Sequence, residues 1–160
     1  MAGKAKGFTL IEMAITAAIV ALLATVAFPM AEVAIQRSKE QELRNGLRQI
    51  REALDAYKQA VDQGHILRKA GESGYPPSLK TLVEGVEDVK SPSNAKSRLY
   101  FLRRIPREPF SKDSSIPAES TWGKRSYLSS AAEPKEGVDV FDVYSLALGA
   151  GLNGIPYREW

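Results

Sequence analysis

Hydrophobic positions along the chain fall into three regimes. From Phe8 to Ala31 the run is apolar or uncharged at every position except Glu12. Beyond Ala31 charges return, but Leu43, Leu47, Ile50, Leu54, Tyr57 and Val61 recur at spacings of four and three, which places them on one face of a helix. Gln63-Gly64 supplies a glycine stop. The pattern predicts one helix over 8–63, about 84 Å long at roughly 1.5 Å per residue. The stripe suits either an assembly seam or a face that packs the chain's own C-terminal domain; spanning fewer than about three heptads, it favours the domain. Glu40 with Arg44 and Arg51 with Asp55 read as i,i+4 pairs on the wet faces, worth only tenths of a kcal/mol each.

Residues 64–160 lose the helical period. "GYPPSLKTLVEGVED" predicts a turn and a short helix, with Ser78 as its cap and Leu79, Leu82 and Val83 facing inward. "KSPSNAKSR" reads as loop, and Pro106, Pro109 and Pro117 exclude a long regular element over 100–121. "RSYLSS" and "VDVFDVYSLAL", rich in β-branched and aromatic residues, predict strands. "GAGLNG" predicts a glycine loop and "IPYREW" a short closing strand. A small antiparallel sheet lying on the second half of the long helix would bury the 43-to-61 stripe, an α+β architecture. The expected division is 1–7 leader, 8–31 apolar helix, 32–63 amphipathic continuation and 64–160 globular domain.

The 24-residue apolar run is about 36 Å long as a helix, enough to cross a bilayer core of roughly 30 Å. Lys4 and Lys6 precede it, which predicts a cytoplasmic N-terminus and an exported remainder. Pro29 removes one backbone donor near its far end and predicts a kink. Three readings compete. A secretory signal would use Thr25-Val26-Ala27 as its cleavage site, with Glu12 interrupting its apolar core. A plain anchor leaves Glu12 unexplained. A cut between Gly7 and Phe8 exposes an α-amino group one turn from Glu12, and a carboxylate there would pair with the new amino terminus of a neighbouring copy.

Other totals narrow the classes. Net charge is +3, falling to +1 without Lys4 and Lys6, so the pI near 9.1 says little about nucleic acid. The chain has no cysteine, which excludes disulfides and thiolate metal sites. No phosphate-binding glycine loop, dinucleotide fingerprint or zinc spacing occurs. His65, beside Gly64, is expected in an exposed loop, and Glu84, Glu87 and Asp88 on a solvated face. Trp122, Trp160, Tyr127 and Tyr144 are expected to pack the small domain. Arg103, Arg104, Arg107, Lys112, Lys124 and Arg125 form the basic concentration; Glu108 and the interspersed prolines favour salt bridges between subunits over phosphate contacts. The chain reads as a non-enzyme.

"KGFTLIE" resembles the N-terminal signal of type IV pilins and type II secretion pseudopilins. The resemblance implies cleavage after Gly7 by a prepilin peptidase, methylation of the Phe8 amino group, and a requirement for Glu12 in assembly. "FLRRIPREPF", "WGKRSY", "VFDVYS" and "GLNGIPYREW" are similar to the G-type, or major, pseudopilin branch. That branch implies a pilin fold and a homo-oligomeric helical filament with minor pseudopilins as partners. It also implies an inner-membrane assembly platform with a cytoplasmic ATPase, a single-pass inner-membrane anchor and a periplasmic C-terminal domain. The alternative is a type IV pilus or DNA-uptake subunit. Many G-type pseudopilins bind calcium in an aspartate-rich C-terminal loop. "SLALGAGLNG" holds no acid, so the expectation is no cofactor, with Asp139, Asp142 and Asn153 as the calcium candidates.

Overall fold

A computed structural model describes residues 7–91 and 97–160. The leader residues 1–6, Lys4 and Lys6 among them, and residues 92–96 of the "KSPSNAKSR" loop lie outside the described residues. The chain forms two units, Met1–Ser38 and Lys39–Trp160. Helix α1, Leu10–Asp62, runs from the first into the second, passing through Pro29. The architecture is α+β, a long N-terminal helix with small antiparallel strand pairs, as expected of the pilin fold.

In the first unit, α1 contains an 18-residue window of mean hydropathy 2.3 with none of its surface buried. Leu10, Leu22, Phe28 and Met30 all stand open. The hydroxyls of Thr16 and Thr25 donate to the carbonyls of Met13 and Leu22, at 3.0 and 2.7 Å, so neither leaves a loose polar group on this surface. A surface of this kind needs lipid or protein to cover it.

In the second unit, all six stripe residues are buried, Leu43 and Ile50 completely. They meet Leu79 and Leu82 of helix α2 (Leu79–Glu84), Trp122, Val140, Val143 and Tyr157 in one core. Gly64, at φ 76°, ends α1: its amide donates to Val61 and that of His65 to Ala60, both at 2.9 Å, the paired bonds of a Schellman stop. Gly46, inside the helix, makes room for the Trp122 indole, since a Cβ there would lie 3.1 Å from the ring. The indole N–H donates to the Pro106 carbonyl at 2.8 Å.

The expected sheet is two separate two-stranded ladders. Strand β1, Val86–Glu87, pairs antiparallel with β2, Arg98–Leu99; β3, Trp122–Arg125, pairs antiparallel with β4, Asp142–Ser145. Gly123 faces Tyr144, whose ring fills the place of a Cβ. "RSYLSS" is therefore strand only at Arg125. From Ser126 onward the chain turns, because the Ser126 amide bonds to Lys135 and the Ser126 hydroxyl and Tyr127 amide go to Asp139. "VDVFDVYSLAL" is strand only over β4, and Val138 is exposed. "IPYREW" contributes a single bridge, Ala150 to Pro156, then a 3₁₀ turn, Tyr157–Glu159. Proline has no amide to carry the ladder further.

Three smaller expectations are also corrected. Ser78 precedes α2 but makes no side-chain cap; its hydroxyl meets that of Thr81 at 3.2 Å. Val83 is half-buried while Leu79 and Leu82 are fully enclosed. Glu40 and Arg51 do not form wet-face pairs: Glu40 is buried against the C-terminal loop, and Arg51 reaches Asp142 at 2.8 Å. Tertiary donors and acceptors across the domain outcompete the i,i+4 neighbours.

The domain encloses several carboxylates. Glu108, 2% exposed, accepts from the Ser145 hydroxyl at 2.9 Å, and its amide donates to Thr121 at 3.2 Å. Burial pushes its carboxyl above the ordinary range despite the Ser145 bond. Burial also acts on Asp139, but donation from Ser126, Ser73 and the Tyr127 amide outweighs it and holds that carboxyl below the ordinary range. Among the described residues, no buried side-chain polar atom lacks a partner.

Two predictions follow from this packing. Gly46→Leu should lower stability by about 1–3 kcal/mol through overpacking against Trp122. Gly46→Ala should stay near neutral, because the helix gain of about 1 kcal/mol offsets the tight contact; thermal denaturation of both variants checks this. In the unfolded chain a glutamate titrates at its ordinary value, about 4.3. The raised folded pKa of Glu108 means the native state holds the extra proton, so its contribution is complete below that pH and is lost as pH rises through the folded value. Glu108→Gln should flatten the fall in Tm on going from about pH 4.5 to about pH 7; an unchanged slope would contradict the assignment.

Candidate functional site at the N-terminus

Thr9 is the residue before α1 and Glu12 its third residue, the spacing of a capping box. The geometry is complete. The Thr9 amide and hydroxyl both donate to Glu12 Oε2 at 2.8 Å, and the Glu12 amide donates back to Thr9 Oγ1 at 3.3 Å. The first turn of a helix leaves its amides without intrahelical partners, and in an apolar segment each such amide is costly. Thr9 and Glu12 supply two of the missing partners. Glu12 Oε1 accepts no hydrogen bond among the described residues. Sequence reasoning assigned Glu12 to a partner chain and overlooked this local role. Threonine, two apolar residues and glutamate ahead of an apolar run were the available signal.

Gly7 and Phe8 lie ahead of the helix in irregular, exposed backbone. A Cβ on Gly7 would meet nothing within 4 Å, so no packing among the described residues calls for glycine there. Phe8 is 83% exposed, an aromatic ring that no described residue buries.

The remaining candidates are dispersed. Asp139 serves Ser73, Ser126 and the Tyr127 amide. Asp142 is held by Arg51 and, at 3.1 Å, by Arg125. Asn153 Oδ1 accepts from the Ile155 amide at 3.1 Å. Among the described residues no three His, Asp or Glu side chains converge as metal ligands would. His65 is half-buried, not fully exposed, with Nδ1 2.9 Å from Asp88, and this bond lowers the Asp88 carboxyl pKa. Glu84 and Glu87 are exposed as expected. The basic concentration is partly used within the domain: Arg107 bonds to the carbonyls of Ile116 and Asp113, Arg125 to Asp142, and Lys124 lies 3.7 Å from Glu136. Trp122 is the core aromatic; Trp160 and Tyr144 are half-buried, and Tyr127 is largely exposed against Tyr75 and Phe141.

Among the described residues, 7–12 is the segment that joins an exposed Gly7-Phe8 step to an acid in an apolar helix. Comparison with known proteins bears on the same segment. A protein-family model described as the prokaryotic N-terminal methylation motif matches residues 3–28. No curated protein and no solved structure matches the chain. The leader is of the prepilin type, the kind processed by a prepilin peptidase before filament assembly. The match, which takes in most of the apolar run, and the length of that run as a helix support a type IV pilin-like protein, consistent with a single-pass membrane anchor.

Proposed function

We propose that this chain is a structural subunit of a type II secretion pseudopilus. In this reading, cleavage after Gly7 and methylation at Phe8 release a mature subunit into the inner membrane, with Lys39–Trp160 in the periplasm. Copies then polymerise with minor pseudopilins on an inner-membrane platform. A cytoplasmic ATPase supplies the energy, and the filament drives folded substrates outward without chemistry of its own. The observation that carries the reading is the methylation motif on a helix whose apolar half is uncovered. The pseudopilus is favoured over a type IV pilus by the similarity of the C-terminal segments to the G-type branch and by the absence of cysteine.

Glu12 then has two uses that separate by oxygen: Oε2 caps its own helix, and Oε1 is open to the amino terminus of a neighbouring copy. A bond to a charged partner is worth roughly 1.5–3 kcal/mol, so its loss should reduce assembly about tenfold or more. Glu12→Gln preserves the cap, because a glutamine oxygen accepts as a glutamate oxygen does, but it removes the charge. Normal processing with filament yield lowered about tenfold is expected for both Glu12→Gln and Glu12→Ala. Full yield from Glu12→Gln would reduce Glu12 to a cap. Gly7→Val should leave an uncleaved precursor, read directly by intact mass. Deleting the gene and comparing secreted proteins with surface fibres tests the wider reading: secretion should fail with fibres intact, whereas lost fibres or DNA uptake with intact secretion would assign the chain to a pilus.

A further inference from the structure

The C-terminal loop over 146–157 is the part of the domain for which the G-type resemblance implies a bound calcium ion, and its chemistry does not suit one. Calcium takes about six to eight oxygen ligands, several of them carboxylate. Here the loop carries no acid. Three of its carbonyls are engaged within the segment: Gly149 accepts from Tyr157, Gly151 from Gly154, and Ile155 from both the Gly151 amide and the Trp160 indole. Asp139 is occupied by hydroxyl and amide donors, and Asp142 lies between two guanidiniums. What the loop turns inward is a donor. The Leu152 amide reaches Glu40 Oε1 at 2.8 Å, and the Tyr157 hydroxyl reaches the same oxygen at 3.1 Å. Glu40, on α1, is 6% exposed.

From this we infer that Glu40 is the anchor of the C-terminal loop, a fixed carboxylate that does the ordering work of a cation, and that the domain is calcium-independent. The polarity is the reverse of a cation site. A cation is caged by oxygens directed inward, whereas this loop presents an N–H and an O–H to a negative charge delivered by the helix. Around the anchor, the Arg44 guanidinium stacks 4.5 Å from the Trp160 ring and Arg51 donates to the Trp160 carbonyl at 2.9 Å, so α1 holds the segment at three points. The inference goes beyond the filament reading and does not require it.

The test uses the full chain purified in detergent, followed by thermal denaturation and by hydrogen exchange over 146–160, with calcium at about 1 mM or with a chelator. For the parent, the two conditions should give the same Tm and the same exchange. A site binding calcium a hundredfold below the added concentration would raise Tm by roughly 5–10 °C, and such a rise would overturn the inference. Glu40→Gln and Tyr157→Phe should each accelerate exchange in the loop about tenfold or more, with no recovery on adding calcium. Tyr157→Phe removes one hydroxyl only and covers the case in which the Glu40 variant fails to fold. Unchanged loop exchange in Tyr157→Phe, or recovery of either variant by calcium, would also refute the anchor.

Discussion

Burial of one face of α1 is the interaction on which the Lys39–Trp160 unit depends. Its ladders are two and four residues long, below the size at which a hairpin persists alone in water. They therefore cannot form the platform onto which a helix docks. The stripe from Leu43 to Val61 offers an apolar face, each large side chain worth roughly 1.5–3 kcal/mol on burial, and the rest of the unit packs against it. Gly46 and Trp122 show how closely: the helix gives up a side chain in its interior so that an indole can lie on its backbone. The Schellman stop at Gly64 then releases the chain at the end of the stripe, with His65 turned towards Asp88 and Ile66 back into the core.

The other end of α1 faces the opposite problem. Among the described residues its apolar side chains are largely exposed, and each polar group among them has to be satisfied locally or by a neighbour. Thr16 and Thr25 bond to the preceding turn, and Thr9 and Glu12 satisfy each other. Pro29 is the exception, because it cannot donate to the carbonyl of Thr25 four residues earlier. In hydrocarbon such a carbonyl costs free energy. Among the described residues, one Glu12 oxygen and the Thr25 carbonyl thus lack the partner that a cap or a regular helix would give them, both on an exposed surface.

Much of this was legible in the sequence, and the pattern of failures has a physical explanation. The stripe, the glycine stop and the apolar run follow from periodicity and backbone chemistry, which are local, and each is found where the residues placed it. Strand boundaries in "RSYLSS" and "VDVFDVYSLAL" were misplaced because β propensity there yields to a carboxylate: Asp139 turns the chain at Ser126 and Tyr127. The capping box was legible and was overlooked because Glu12 already had an explanation. Glu40 and Arg51 were not legible, since nothing at i±4 reveals that their partners lie more than ninety residues away.

Those distant partners share a pattern. Glu40 joins α1 to Leu152 and Tyr157, Glu108 joins the proline-rich segment to β4, Asp139 joins Ser73 to Ser126, and Asp142 receives Arg51 from α1 and Arg125 from β3. Glu40, Glu108 and Asp139 each tie together segments that no strand ladder connects, and Asp142 ties α1 to the β3–β4 ladder. A longer sheet would cross-link such segments by backbone hydrogen bonds, which are indifferent to side-chain identity. With ladders this short, side-chain acids take over the cross-linking, and a carboxylate can accept several donors at once where a backbone carbonyl accepts one or two. The cost is burial of charge, and it is felt unequally. Asp139, with three donors, remains easily ionised, whereas Glu108, more deeply enclosed, has its carboxyl raised. The acids that appear from composition to be surface charge are thus the internal ties of a domain with too little sheet to hold itself together otherwise.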